Sequence, residues 1–449
     1  MSFVDTLAGF RELHPDAQAA EVFVTDLNGI ARGKLVPVAM LDKLADGAMR
    51  LPLSTLGLDV FGADVPENAL ALERGDPDGP LVALPATLGP MLWAARPTAQ
   101  VQCSIEEPDG APCAYDPRAV LARVVEDAEQ RGLTPVVALE LEFYLIDAER
   151  TGPPANPLAG GRLARAQLYD LEVMRAFEPV ISAIAAAAQA LGAPAETTIC
   201  EFGEGQFEMN LGHEADALAA ADHMVALKRA IRGTARAHGL DASFMPKPYG
   251  ESAGSGQHIH VSLLDREGRN VFDAGAGGDA NEAVRAAVAG LRRTMADAML
   301  IFAPHANSYR RLTPGSYAPV VAAWGLDNRG TALRVPEAAG PGARIEHRVA
   351  GSDANPYLLT AAVLAGVLGG LDDRQDPGPP VAAEAGPEDG PALPLSWAMA
   401  EQAFAASDFV AEWLGPEFRR VFAGMKRQER ATLLARVPDV EYDAYLRTL

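Results

Sequence analysis

Cysteine is scarce in this chain. Only three occur among 449 residues, Cys103, Cys113 and Cys200, and no two of them have C-x-x-C spacing. An odd number of cysteines without paired spacing argues against a disulfide-stapled secreted scaffold and is typical of a reduced, cytoplasmic protein. The amino terminus also lacks a basic stretch followed by an apolar run, so the sequence predicts no signal peptide.

Basic residues and long apolar runs are also in short supply. The chain has 38 Lys and Arg against 60 Asp and Glu, which gives a formal net charge of -22. Nucleic-acid binding needs a basic stripe, so this balance excludes that class of partner. The apolar segment Leu358 to Gly370 is only about a dozen residues long, too short to cross a bilayer. It predicts a buried helix after Asn355-Pro356, and the sequence predicts no membrane partner.

The length of the chain favours two domains. Residues 1–110 contain strand-like segments at Glu21 to Thr25 and Lys34 to Val38, on either side of an Asn28-Gly29 turn that is typical of a hairpin. The Pro-rich stretch 108–117 predicts a boundary, followed by a helix with Asp116 as its cap. Residues 111–449 mix Ala-rich helices with strands, so we expect domains at 1–110 and 111–449 and an α+β fold.

Four predicted strands place polar side chains on one face. They centre on Glu140 and Glu142, on Glu201 and Glu208, on His258, and on Glu346. Residues two apart in a strand share a face, and the intervening positions here are mostly apolar. One such strand alone is commonly a solvated surface, but four together bring repelling carboxylates onto one sheet and require cations. Oxygen-rich ligands without thiolates favour Mg2+ or Mn2+ over zinc or copper. The residues alone therefore predict a two-metal phosphoryl-transfer enzyme with a carboxylate substrate.

Five segments resemble the glutamine synthetase family, in the same order along the chain. They are Asp26 to Lys34, Phe244 to Leu263, Asn307 to Pro319, Asp327 to Pro336 and Arg344 to Leu358. The resemblance implies a small amino-terminal β-grasp domain and a catalytic domain built on a curved antiparallel sheet, a half-barrel flanked by helices. It also implies a homo-oligomer of stacked rings, a dodecamer, with each active site formed between neighbouring subunits.

The resemblance further implies a role for each polar residue. The ligands of the ion facing the acceptor carboxylate are Glu142, Glu201 and Glu208, and those of the ion facing the nucleotide phosphates are Glu140, His258 and Glu346. ATP is expected to contact Glu196, His260, Ser262, Arg329 and Arg334. Glutamate is expected to contact Gly254, Arg311 and Arg348. Arginine suits these positions because its planar fork bonds carboxylate and phosphate oxygens in pairs. Arg329, on the transferred phosphoryl group, Glu208 and Tyr317 are the expected catalytic residues.

The departures from the family pattern concern ammonium. The family's F-D-G-S-S segment reads L-P-L-S-T here, and its P-G-Y-E-A-P flap reads P-G-S-Y-A-P. Pro52 therefore replaces one ammonium-binding carboxylate, Tyr317 replaces the other, and Ala253 replaces an asparagine near the glutamate site. A small cation is not held tightly without compensating charge. We expect Pro52, Thr55 and Tyr317 to line a pocket for a larger amine.

This pattern resembles the branch of the family that joins glutamate to amines, which includes γ-glutamylpolyamine synthetases and ligases for small alkylamines. The expected reaction uses ATP to form γ-glutamyl phosphate, from which a polyamine or small alkylamine displaces phosphate. The base that deprotonates the amine stays open among Glu201, Glu208 and Glu251. Two alternatives also stay open: a glutamine synthetase that uses ammonia through other carboxylates, and a catalytically silent ring protein that binds nucleotide or glutamate.

Overall fold

Two β-sheets organise the chain in the computed structural model, which describes residues 2–147, 149, 152–156, 165–275 and 279–449. The strands of the small sheet are β1 (Ala19–Thr25), β2 (Ala31–Pro37), β3 (Arg50–Pro52), β4 (Asp78–Ala83), β5 (Gly89–Pro90) and β6 (Thr98–Ile105). The strands of the large sheet are β7 (Thr134–Ile146), β8 (Ala195–Cys200), β9 (Gln206–Leu211), β10 (Asp241–Ser243), β11 (Gln257–Leu264), β12 (Trp324–Leu326), β13 (Leu333–Glu337) and β14 (Arg344–His347).

The small sheet has the order β2-β1-β6-β4-β3, with β5 beside β6. Strands β1 and β2 form the predicted antiparallel hairpin, and each begins earlier than the sequence predicted. Asp26 shapes the turn between them, because its carboxylate accepts hydrogen bonds from the backbone N–H groups of Asn28 (2.9 Å) and Ile30 (2.8 Å). Gly29 supplies the left-handed backbone (φ 75°) that this turn requires.

The large sheet has the order β12-β13-β14-β11-β7-β9-β8, with β10 beside β7. Its pairs are antiparallel, as predicted, except at one edge, where β12 runs parallel to β13. The prediction was wrong at that edge because the chain makes no hairpin there. In the connection between these two strands, the amide of Asn328 donates to the carbonyls of Val381 (2.8 Å) and Ala383 (2.7 Å).

Helices pack against both sheets and on one another. They are α1 (Phe3–Leu13), α2 (Leu41–Ala45), α3 (Pro117–Gln130), α4 (Leu171–Ala190), α5 (Ala217–Ala237), α6 (Glu282–Thr294), α7 (Met299–Phe302), α8 (Pro356–Asp373), α9 (Trp397–Ala406), α10 (Pro416–Leu434) and α11 (Asp439–Tyr445). Asp116 caps α3 as predicted, and its side chain accepts the N–H of Arg118. The carboxylate of Asp216 caps α5 in the same way.

Helix α8 confirms the predicted buried helix. Its residues from Pro356 to Gly370 are all buried, and the side chain of Asn355 caps its first turn. Glycines at 290 and 370 let α6 approach α8 closely, since a Cβ at Gly290 would lie 2.2 Å from the carbonyl oxygen of Gly366. Among the residues that the structure describes, no helix is both long and apolar enough to cross a membrane.

Helix α10 returns from the far end of the sequence to the small sheet. The amide of Asn68 donates to the carbonyl of Val421 (2.8 Å), and Arg420 donates to the carbonyl of Asn68 (3.0 Å). Gln428 donates to the carboxylate of Asp59 (2.9 Å). The division of the chain at residue 110 stays a prediction, and these contacts join its two sides.

Candidate active site

The predicted polar face lies in the middle of the large sheet. Glu142 on β7 is directly opposite Glu208 on β9, and Glu140 lies between Asn210 on β9 and His258 on β11. His260 on β11 is opposite Glu346 on β14. Directly opposite side chains in a sheet have Cβ atoms about 5 Å apart, so strand register alone brings these groups into one cluster. The alternate residues on β7, including Leu139, Leu141 and Phe143, are fully buried on the other face.

Three sets of ligand atoms converge on this face. Each set has all its atoms within 4.8 Å of one another, and the sets are Glu142 with Glu201 and Glu208, Glu140 with Glu208 and His258, and Glu140 with His260 and Glu346. The first is the set predicted for the acceptor side. The three residues predicted for the phosphate side also meet, since His258 Nδ1 is 3.2 Å from Glu140 and 3.8 Å from Glu346. His260, which the sequence assigned to the nucleotide, lies 2.9 Å from Glu140 and is within reach of the same position.

The acceptor-side carboxylates have little positive charge close to them: among the described residues, their one ion-pair contact is that of His258 Nε2 with Glu142, at 4.0 Å. Burial, with the nearby charge of Glu201, raises the pKa of Glu142 to about 7. Burial also raises the pKa of Glu208 well above its usual range, with Glu140 and Glu142 adding to the effect, and it raises the pKa of Glu201. A buried carboxylate keeps its charge only when paired with a cation. This group of oxygens therefore fits a hard divalent ion, which would replace the missing positive charge.

The phosphate-side carboxylates have positive partners at close range. Burial would raise the pKa of Glu140, but hydrogen bonds from His258 and His260 outweigh it and lower the pKa well below its usual range. Burial is likewise outweighed at Glu346, where Arg348 and the two histidines lower the pKa to about 2. Arg334 also donates to Glu346 at 2.8 Å. This side of the cluster thus stays anionic.

Two predicted substrate arginines are buried beside the cluster. Arg311 is 6% exposed and Arg348 is 7% exposed. Arg311 donates to the carbonyls of Val349 (2.8 Å) and Arg348 (3.4 Å), and no carboxylate of the described residues accepts a hydrogen bond from it. Gly254 permits this placement, because a Cβ there would lie 2.7 Å from Cγ of Arg311 and 2.9 Å from the carbonyl of Pro246. The predicted grouping of Gly254 with the arginines is therefore present in the fold.

The residues predicted for ATP are spread across the large sheet, from β8 at one edge to the connection between β12 and β13 at the other. Ser262 is buried on β11, two residues beyond His260. Glu196 is exposed at an irregularity in β8, and the rings of His213 and His260 are 6.1 Å apart nearby. Arg334 is held by Asp327 (2.6 Å) as well as by Glu346. Arg329 is exposed in the connection between β12 and β13.

The residues predicted for the amine lie on separate elements of the chain. Pro52 pairs with Asp78 in the small sheet, and Thr55 lies in the short 3-10 turn Leu53–Gly57. Tyr317 is 76% exposed and has a left-handed backbone (φ 56°), which strains a residue with a side chain. No hydrogen bond among the described residues joins Pro52 or Thr55 to the carboxylate cluster. The amine pocket stays a prediction.

Several supporting residues lay outside the sequence prediction of the site. Glu142 accepts the N–H of Gly256 at 2.8 Å and faces the amide of Gln206 at 3.4 Å. Arg344 contacts His260 Nδ1 at 3.3 Å. Strand alternation places Gln206 and Arg344 on the polar face, and that signal was available in the sequence. The contact of Gly256 depends on the bend before β11, which alternation does not predict.

Three comparisons give this geometry its context. Residues 114–445 match the family model "glutamine synthetase, catalytic domain". The chain is 37% identical to gamma-glutamylputrescine synthetase of Escherichia coli K12 over 99% of its length and 95% of the relative's, and 32% identical to glutamate–isopropylamine ligase of a Pseudomonas species over 89% of each. A solved structure of GmaS with ADP superposes with a TM-score of 0.85, at 28% identity and covering 98% of this chain and 99% of that one. With an α+β fold and an acidic cluster that agree with these matches, this chain belongs to the glutamine synthetase family.

Proposed function

We propose that this protein uses ATP to join the γ-carboxylate of L-glutamate to an organic amine, a polyamine or a small alkylamine. The observation that carries the proposal is the position of Arg311 and Arg348, both buried beside a cluster of five carboxylates and His258. An anionic acid substrate and a triphosphate both need cations in such a place. The relatives named for γ-glutamylputrescine and isopropylamine ligation support an amine as the acceptor.

The divalent ions of the proposal are Mg2+ or Mn2+. Glu142, Glu201 and Glu208, whose ligand atoms converge, would hold the ion on the acceptor side. Glu140, His258 and Glu346 would hold the ion on the phosphate side, since His258 Nδ1 lies 3.2 Å from Glu140 and 3.8 Å from Glu346, and His260 is close enough to assist. When bound, such ions neutralise phosphate charge and hold donor and acceptor in line. The raised pKa of Glu142 supports this assignment, since a bound cation removes the cost of its buried charge.

The arginines orient the acid substrate. Arg311 grips the α-carboxylate and Arg348 the side-chain carboxylate, whose oxygen attacks the γ-phosphorus of ATP and releases ADP. Arg329 stabilises the transferred phosphoryl group, and Glu196, His260, Ser262 and Arg334 bind the nucleotide. The amine nitrogen then attacks the acyl carbon of γ-glutamyl phosphate, forms the amide bond and expels phosphate. These residues act by positioning the reactants and stabilising charge.

The amine loses a proton to a carboxylate of the enzyme. The candidates for this base are Glu201, Glu208 and Glu251. We propose that Tyr317 covers the amine, and that Pro52 and Thr55 reach the site from a neighbouring subunit of a stacked-ring homo-oligomer. In its own chain, Pro52 lies in the small sheet and Thr55 in the turn that follows. The three cysteines, all buried and free, fit the predicted cytoplasmic location.

The test is phosphate release from ATP in the presence of Mg2+, L-glutamate and a panel of acceptors. The panel contains ammonium, methylamine, isopropylamine, ethanolamine, putrescine, spermidine and an aromatic amine. We expect release that depends on both glutamate and an organic amine, with the γ-glutamyl-amide identified by mass spectrometry. Ammonium as the best acceptor would instead indicate glutamine synthesis, and bound nucleotide without turnover would indicate a silent ring protein.

The variant Tyr317→Glu tests the amine pocket within the same panel. It restores the carboxylate that the family pattern has at this position, so we expect the preference to move from organic amines toward ammonium. Tyr317→Phe is the matched control, because it keeps the ring and adds no charge. An acceptor preference that is the same in both variants would contradict the assigned role of Tyr317.

A further inference from the structure

The loop that carries Arg311 is tied down at Asp353. Asp353 Oδ2 accepts a hydrogen bond from the hydroxyl of Ser308 at 2.6 Å and lies 2.8 Å from Nδ1 of His305. Ser308 is buried and begins the 3-10 turn Ser308–Arg310, and the N–H of Arg311 then donates to the carbonyl of Ser308 at 3.2 Å. One carboxylate oxygen therefore fixes the segment directly before Arg311.

Asp353 also provides negative charge for Arg311. Burial lowers the pKa of Arg311, and the charges of Glu142 and Asp353 oppose that effect. The second oxygen of Asp353, Oδ1, is buried and has no hydrogen-bond partner among the described residues. The lack of a side chain at Gly351 leaves room for Oδ1 of Asp353, because a Cβ at that position would lie 2.5 Å from this oxygen. The fold thus holds this carboxylate in place at the cost of one unpaired oxygen.

The same network continues to the small sheet. His305 Nε2 is 3.4 Å from the ammonium of Lys426 on α10, so Nε2 accepts from Lys426 while Nδ1–H donates to Asp353. Lys426 also contacts the amide oxygen of Asn28 and pairs with Glu429 at 3.0 Å. Glu429 accepts from the amide of Asn28 at 2.8 Å, and both Lys426 and Glu429 are 0% exposed.

We infer that Asp353 is a positioning residue for Arg311, and that His305 and Lys426 link its position to the Asn28 turn of the small sheet. The inference rests on the proposed function, in which Arg311 binds the α-carboxylate of glutamate. Displacing Asp353 would move Arg311 and weaken the binding of glutamate. The binding of ATP would be unaffected, because the hydrogen-bond partners of Asp353 are Ser308 and His305 and not the residues predicted for ATP.

Asp353→Asn and Ser308→Ala separate the two contributions of this carboxylate. The asparagine keeps an oxygen that accepts from Ser308 and His305 but removes the charge facing Arg311. The alanine keeps that charge but removes the hydroxyl that donates to Asp353 and accepts the N–H of His305 (3.0 Å). Asp408→Asn is the matched control, because Asp408 is exposed and forms no hydrogen bond or ion pair within the described residues.

The experiment measures KM for glutamate, KM for ATP and kcat in the full-length variants, together with glutamate binding by calorimetry. We expect KM for glutamate to rise at least tenfold in Asp353→Asn and in Ser308→Ala, with KM for ATP within twofold of wild type. An unchanged KM for glutamate, or a fall in kcat alone, would overturn the inference. If Asp353→Asn does not fold, Ser308→Ala decides the question by the same criteria.

Failure of the proposed function gives a different result. In that case the wild-type protein itself shows no glutamate-dependent phosphate release and no calorimetric signal with glutamate, before any variant is compared. If the wild-type protein is active and the variants have the same KM for glutamate, only the positioning role of Asp353 is refuted.

Discussion

Replacing Glu142 by glutamine is expected to stabilise the metal-free protein. Burial and the charge of Glu201 raise the pKa of Glu142 from 4.5 to about 7. Each pKa unit corresponds to about 1.4 kcal/mol, so ionising Glu142 in the folded protein costs at most about 3 kcal/mol. A glutamine can still accept the N–H of Gly256, which lies 2.8 Å from the carboxylate, and its amide can donate to a neighbouring carboxylate. The free energy of unfolding should therefore rise by up to about 3 kcal/mol at pH 8.

The sign of the pH dependence follows from the raised pKa. Between pH 4.5 and 7 the folded protein binds a proton at Glu142 that the unfolded protein has released, so the contribution of Glu142 to stability falls as the pH rises. The cost is absent below about pH 4.5 and complete above about pH 7. The advantage of the glutamine variant should consequently be large at pH 8 and small at pH 5.

Urea unfolding, followed by tryptophan fluorescence in a chelating buffer, measures this difference at a fixed protein concentration. Glu12→Gln, at an exposed position of α1, is the control for removing one negative charge. Adding Mn2+ should reverse the order at pH 8, because the wild-type protein gains an ion that the variant holds less well. The reasoning would be refuted if the glutamine variant were less stable than wild type in chelator. It would also be refuted if the gain in free energy of unfolding were the same at pH 5 and pH 8.

Three further substitutions test the surroundings of the site. Arg311→Lys should raise KM for glutamate by about 10- to 100-fold, because lysine lacks the planar fork; an unchanged KM in steady-state assays would contradict this. Gly254→Ala should lower the thermal unfolding temperature and weaken glutamate binding in calorimetry, since its Cβ would meet Arg311 at 2.7 Å and the carbonyl oxygen of Pro246 at 2.9 Å; unchanged glutamate binding would contradict this. Lys426→Met should lower the free energy of unfolding by about 3–5 kcal/mol, because it leaves the buried Glu429 without its cation. The double variant Lys426→Met/Glu429→Leu should regain part of that loss in urea unfolding, and no recovery would show that the ion pair is not the cause.

The cluster of carboxylates and histidines was largely predictable because strand alternation is a local property. Glu140 with Glu142, and His258 with His260, share a face in any strand, whatever lies beside it. The buried helix after Asn355 was predictable for a similar reason, since the cap, the proline and the apolar run are adjacent in sequence. Long segments in family order then supplied the fold and the expected roles.

The electrostatic difference between the two sides of the cluster was not predictable from sequence. It depends on register between strands: Glu142 lies opposite another carboxylate, Glu208, whereas Glu140 lies opposite His258. Neither local pattern nor composition fixes which residues become neighbours across a sheet. The contact of Lys426 with Asn28, separated by 398 positions, was out of reach for the same reason.

The contacts of Lys426 and Glu429 on helix α10 with the Asn28 turn have a consequence for synthesis of the protein. Asn28 and the backbone N–H of Val60 leave the ribosome early, but their common acceptor is the carboxylate of Glu429 (2.8 Å to each). A nascent chain that already contains every residue of the predicted metal cluster therefore still lacks the helix that joins the turn to His305. We expect ligand-competent enzyme to appear only after α10 has emerged, so a helix translated near the end of synthesis governs when activity begins.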